Sequence, residues 1–155
     1  MPAPFDCWLA RRSISTWKAR IQLASTNAMR LAQFLDGQHG KVGKVYFPGL
    51  PAHPNHKLAK KMFLNEQFGH MLSFDLKGGL DAANKFAQSL SHVTLAPSLG
   101  GIDTTISHPG KTSHRNISDE EKRKSGITDA MIRVSVGIED YEIIERDFTK
   151  ALSTI

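Results

Sequence analysis

Met131-Ile132-Arg133-Val134-Ser135-Val136-Gly137-Ile138 is the stretch on which the reading of this chain turns. It predicts an apolar strand. Asp140 follows as the cap of a final helix that carries Ile143, Ile144, Phe148, Ala151 and Leu152. The arginine is the unusual member. A half-buried guanidinium needs an anion or several carbonyls, and its planar fork fits a carboxylate through two hydrogen bonds. Two partners are open at this point: a small carboxylate ligand, or an internal Asp or Glu in a structural salt bridge. Upstream, Ser98-Leu99-Gly100-Gly101 follows a strand and Pro97. Glycines allow positive φ and close backbone approach, so Ser98 either faces a ligand or belongs to an ordinary turn.

Outward from there the chain alternates helices and strands. Ile14, Trp17, Ile21, Ala24, Ala28, Leu31 and Leu35 recur at steps of three and four, one stripe of a long helix that starts at an Asp6 cap and ends at Gly37. The small residues at positions 24 and 28 suggest close packing on a sheet or helix, with a coiled-coil pairing as the alternative. Strands are predicted at 44–47, 70–76, 92–95 and 131–138, and helices at 56–63 and 80–90. Residues 107–128 read as a long polar connection, with a capping box at Ser118-Asp119-Glu120-Glu121. The expected architecture is one sheet of about four strands with helices over one face.

At 155 residues a single domain is expected. The one cysteine, Cys7, forbids an intrachain disulfide, fits a reducing compartment and reads as inert packing. No apolar run is long enough for a membrane span, and the N-terminus lacks the pattern of a secretory signal. The net charge of +5 raises nucleic acid as a partner. The basic residues are scattered and not interleaved with aromatics, so a solvated surface is the better reading. Seven histidines show no metal-ligand spacing. A phosphate loop, a Gly-x-Ser-x-Gly elbow and a CxxC are all absent from the sequence.

Several motifs in fixed order resemble the C-terminal region of the Cys/Met-metabolism family of pyridoxal-phosphate enzymes, with cystathionine γ-synthases and γ-lyases the most similar. They are Pro4-Phe5-Asp6-Cys7-Trp8-Leu9, Arg12-Ser13-Ile14-Ser15-Thr16, Val45-Tyr46-Phe47-Pro48-Gly49-Leu50, His53-Pro54, Ser98-Leu99-Gly100-Gly101, His108-Pro109, Ser113-His114, Gly126-Ile127 and Ile132 to Asp140. The resemblance covers essentially the whole chain. It implies an α+β fold, the small C-terminal domain of fold-type-I enzymes. That domain has a mainly antiparallel sheet of about four strands, covered by helices, and a long N-terminal helix.

By the same resemblance, Arg133 holds the substrate α-carboxylate and Ser98 orients the substrate beside it; no catalytic role is implied for Ser113. Pyridoxal phosphate is the cofactor of the complete enzyme, serving as electron sink in β- or γ-elimination or replacement. The resemblance places the cofactor-bearing lysine in a large domain that this sequence does not contain. No catalytic, cofactor-binding or metal-binding residue is therefore expected here, and the isolated chain is expected to be inactive. About 240 further residues are expected ahead of Met1, consistent with a second, larger domain. Implied partners are an amino acid such as cystathionine or an O-acyl homoserine, the PLP-binding domain, and sister subunits in a cytoplasmic homotetramer. Nucleic acid and membrane are not among them. The alternative is a non-catalytic assembly or split-gene subunit that pairs with a separate PLP-binding chain. Two departures from the family pattern stand out: Ser13 where glycine is usual, and Pro97 where γ-lyases and bacterial γ-synthases tend to have glutamate.

Overall fold

The structure is a computed structural model that describes residues 1–112 and 114–155. Ser113 lies outside the described residues. Among the described residues there are six α-helices and one five-stranded sheet. In chain order they are α1 (Pro4–Ile14), α2 (Trp17–Asp36), β1 (Val42–Tyr46), α3 (His56–Met62), β2 (Met71–Leu76), α4 (Gly79–Ser89), β3 (Thr94–Leu95), β4 (Thr105–Ser107), α5 (Asp119–Lys124), β5 (Met131–Ser135) and α6 (Tyr141–Ser153). A single 3-10 turn at Leu64–Glu66 follows α3.

The strand order is β1-β2-β5-β4-β3, antiparallel except for the β3–β4 pair. The expected α+β class and mainly antiparallel sheet are found. The count of about four strands is corrected to five. The added strand, β4, has one apolar residue among three, too short to give a period-two signal.

The long N-terminal helix is also corrected, because the chain breaks at Ser15–Thr16 into α1 and α2. Ser15 Oγ donates to the Arg12 carbonyl at 2.6 Å, and Thr16 Oγ1 donates to the Ser13 carbonyl at 3.3 Å. The Arg20 guanidinium also donates to the Ser13 carbonyl, at 3.0 Å. Local side-chain donors thus take carbonyls that a continuous helix would use. Asp6 is not the cap either. It lies inside α1, and its carboxylate accepts the Ala3 N–H at 3.3 Å.

The break divides the apolar stripe. α1 buries nothing, whereas α2 buries Ala24, Ala28, Leu31, Ala32 and Leu35. Those residues pack with α4 and α6 on the sheet face that carries Leu72, Phe74, Leu76, Ile106, Ile132 and Val134. At the centre, Phe74, Phe86 and Phe148 meet with ring centroids 5.4 to 6.2 Å apart. Each such aromatic pair contributes about 0.5–1.5 kcal/mol beyond its buried area. Asp147 of α6 clamps the approach to β3: its carboxylate accepts the backbone N–H groups of Ser91, His92 and Val93 at 2.8–3.2 Å, and the Ser91 hydroxyl at 2.8 Å.

At the edge of the same core, the Phe68 ring meets those of Phe47, His56 and Phe63. Gly49 is required there. A methyl at that position would lie 2.6 Å from Phe47 Cε1 and 2.8 Å from Phe68 Cδ2. The capping box is found as expected and starts α5: the Ser118 N–H donates to Glu121 at 2.9 Å, and Glu121 N–H returns to Ser118 Oγ at 3.2 Å.

Candidate functional site

Side chains alternate across a strand, so the residues between the core positions point to the opposite face of the sheet. In β5 these are Met131, Arg133 and Ser135. The register places Ser73 opposite Arg133 on one side and Ser107 opposite it on the other. Tyr46 pairs with Ser73 in turn. A polar row, Tyr46–Ser73–Arg133–Ser107, therefore crosses four strands, with neighbouring Cβ atoms about 5 Å apart.

Arg133 is half-buried in the middle of this row. Among the described residues it has no ion pair and its guanidinium has no hydrogen bond. The internal salt bridge left open by the sequence is thus not made among them. The acid on the same face, Asp75, is already engaged: Tyr46 Oη and Thr128 Oγ1 each donate to it at 2.7 Å. Burial raises the Tyr46 phenol to a pKa of about 12, helped by the hydrogen bond to Asp75 and its charge. The phenol therefore stays a donor to Asp75.

Ser98 lies in an exposed loop whose ends are fastened to the Arg133 face. The Gly100 N–H donates to Ser135 Oγ at 2.9 Å, and Thr105 Oγ1 donates to the Ser98 carbonyl at 3.2 Å. Ser135 and Thr105 are themselves a register pair. Ser135 is two residues beyond Arg133, about 7 Å along the strand. The fold thus brings the Ser98 loop and Arg133, 35 positions apart in the chain (133 minus 98), to one end of one face. Gly100 has φ +76°, the conformation that favours glycine. A cavity of about 170 Å³ adjoins the same loop, lined by Gly100, Gly101, Ile138, Trp17, Arg20 and His70 among others.

Neither Ser135 nor Thr105 was singled out in the sequence, because single hydroxyls in short strands carry no periodic signal. Cys7 is exposed and so does not serve in packing; it lies on a helix that buries nothing. Among the described residues no cluster of three or more His, Cys, Asp or Glu could hold a metal ion. Nor is there a helix long and apolar enough to cross a membrane.

The arrangement fits the carboxylate end of a small ligand, with one uncompensated cation, hydroxyls beside it and a glycine loop at its edge. Of the lysines, Lys41 and Lys77 donate to the carbonyls of Leu152 and His39, Lys111 donates to Asn84 Oδ1, Lys60 and Lys124 pair with surface glutamates, and Lys44 lies over the Tyr46 ring.

Residues 1–153 match the family described as Cys/Met metabolism PLP-dependent enzyme. The O-succinylhomoserine sulfhydrylase of Pseudomonas aeruginosa is 40% identical over 153 residues, which cover 99% of this chain and 37% of that protein. The crystal structure of cystathionine γ-lyase from yeast is similar with a TM-score of 0.95 at 40% identity, covering 99% of this chain and 39% of that one. The structure of cystathionine γ-synthase from Xanthomonas oryzae pv. oryzae in complex with cystathionine gives a TM-score of 0.91 at 40% identity, with the same coverage of 99% and 39%. The chain thus spans 37–39% of the length of these relatives.

Proposed function

Because this chain belongs to the Cys/Met-metabolism family of pyridoxal-phosphate-dependent enzymes, we propose that it is the family's small C-terminal domain, whose task is to hold the substrate's carboxylate. Arg133 grips the α-carboxylate of a sulfur-containing amino acid, and Ser98 orients the same molecule from the loop beside it. Cystathionine or an O-acyl homoserine is the substrate class. A guanidinium so placed supplies positioning and not proton transfer. The cofactor and its lysine come from polypeptide outside these 155 residues, so the chain alone is not active.

The observation that carries this reading is the half-buried Arg133 with no acid of its own among the described residues. An uncompensated buried cation is expensive unless an anion completes it. A second observation supports a covering polypeptide. Phe5, Trp8, Leu9, Ile14 and Trp17 are exposed on α1 and the start of α2, and Leu95, Leu99 and Ile102 are exposed around the Ser98 loop. Grouped exposed apolar residues of this size mark an interaction surface.

The test is complementation. The chain is mixed with a fragment of yeast cystathionine γ-lyase that lacks the matched 39% and retains the cofactor-binding remainder. Carbon–sulfur cleavage of cystathionine should appear only in the mixture. Activity of the 155-residue chain alone would overturn the reading, and so would a stable complex that gains no activity. The second reading, a non-catalytic subunit that assembles with a separate PLP-binding chain, rests on the same exposed α1 surface and predicts the inactive complex.

A further inference from the structure

The residues just after β5 form a closed set of contacts with the far end of the Ser98 loop. Both carboxylate oxygens of Glu139 are occupied by Thr104: one accepts its backbone N–H, the other its hydroxyl at 2.9 Å. The Thr104 hydroxyl in turn accepts the Gly137 N–H at 2.9 Å. The Ile138 N–H reaches back to the Ile102 carbonyl at 2.8 Å. Asn27 of α2 holds the other edge, donating to the carbonyls of Glu139 at 2.9 Å and Gly137 at 3.3 Å. Asn27 and Thr104 are buried, and the two segments approach so closely that Gly137 admits no side chain. A methyl there would overlap the Ile102 carbonyl oxygen and lie 2.7 Å from the Asp103 carbonyl carbon.

We propose that Glu139, acting through Thr104, is a positioning residue that fixes the Ser98 loop against the strand carrying Arg133. Two side chains on one stretch of chain anchor the loop: Ser135 holds Gly100, and Glu139 holds Thr104. Arg133, Ser135 and Glu139 follow at intervals of two and four residues. One rigid segment therefore sets both the cation and the loop that faces it. The Glu139 carboxylate is a matched acceptor, because both groups that it meets are donors. A glutamine would turn an NH₂ toward one of them. Its other near neighbour is His92, whose Nε2 lies 4.0 Å from Oε1.

The proposal rests on the carboxylate-holding reading for what the loop presents to a ligand, and its test has one arm independent of that reading. Amide hydrogen exchange is measured residue by residue on the 155-residue chain, alongside its global stability. Glu139→Gln and Thr104→Val should speed exchange at Gly100 and Ile138, the amides that tie the loop to this segment, by about ten-fold or more, the loss of a hydrogen bond to a charged group. They should leave α2 and α6 amides changed only by the global difference. Thr104→Ser, which keeps the hydroxyl, should restore protection. In the complemented enzyme the same two variants should raise KM by about ten-fold with kcat nearly unchanged. Exchange that rises uniformly with lost stability, no change at the loop, or Thr104→Ser behaving like Thr104→Val would each overturn the proposal. If Arg133→Leu leaves KM untouched while the loop loosens as expected, the carboxylate reading fails and the positioning role stands.

Discussion

Tyr46 donates its phenolic hydrogen to the carboxylate of Asp75 at 2.7 Å, across the β1–β2 pair. The contact uses the acid that shares a sheet face with Arg133, and Thr128 occupies its other oxygen. Arg133, without an internal acid among the described residues, is available to an external one.

The same contact gives the chain an unusual alkaline titration. There are two tyrosines. Burial, then the Asp75 hydrogen bond and charge, raise Tyr46 to about 12. Burial and the charge of Glu145 raise Tyr141 to about 12, against the opposing effect of Arg30, whose guanidinium lies 3.8 Å from the ring centroid. Phenolate absorbance of the folded chain should therefore rise around pH 12 and not around the ordinary value of 10. Both folded values lie above the unfolded one. The stability tied to them is complete below pH 10 and is lost as pH climbs from 10 to 12. A phenolate midpoint near 10 in the native protein would contradict the buried position of Tyr141 and the Asp75 contact of the half-buried Tyr46.

Acid should act on a different group. Burial alone would raise the Asp147 carboxyl, but hydrogen bonds from the backbone of Val93, Ser91 and His92 and from the Ser91 hydroxyl outweigh it and hold the pKa below its usual value. The stability from this carboxylate is present above the ordinary carboxylate range and disappears as pH falls through the lower folded value. Asp147→Asn should cost roughly 2–3 kcal/mol at neutral pH, since it removes hydrogen bonds to a charged acceptor. The gap between the two proteins should narrow on acidification. Denaturant unfolding at several pH values checks this, and a gap that stays constant with pH would exclude the assignment.

Gly137→Ala is expected to destabilise by about 2–3 kcal/mol through overpacking, because the added methyl meets the backbone of Ile102 and Asp103. Thermal unfolding measures it. A melting temperature equal to that of the parent would mean that residues 102–104 do not lie against Gly137.

How far these features were legible in the residues themselves varies with their physical origin. The β5 strand, α6 and the Phe74–Phe86–Phe148 core follow from runs of apolar residues whose spacing carries over directly into burial. The helix break does not, since Ile14, Trp17 and Ile21 keep the three-and-four rhythm straight across it. What interrupts the helix is the hydroxyl competition at Ser15 and Thr16, which leaves the apolar spacing unchanged. Arg133 was legible as an anomaly of chemistry in an apolar strand. The residues that fasten its neighbouring loop, Ser135, Thr105, Thr104 and Glu139, were not, because each acts through a contact that is distant in sequence and depends on register.

The exposed α1 surface makes its own prediction. Trp8 is 54% exposed, stacks on Phe5 and lies under Arg12. Trp8→Glu should change the stability of the isolated chain by no more than about 0.5 kcal/mol, as expected of a surface position. It should weaken association with the PLP-binding fragment by an order of magnitude or more, as loss of an aromatic anchor does. Titration calorimetry reads the second effect. Unchanged affinity would remove α1 from the contact surface.

The most direct measurement is the KM of Arg133→Leu for an amino-acid substrate in the complemented enzyme. Loss of a charge-assisted contact worth about 1.5–3 kcal/mol should raise KM at least ten-fold. The cleavage step itself should be much less affected. A KM equal to that of the parent would show that this guanidinium does not hold the substrate, and the assignment of the site would fall with it.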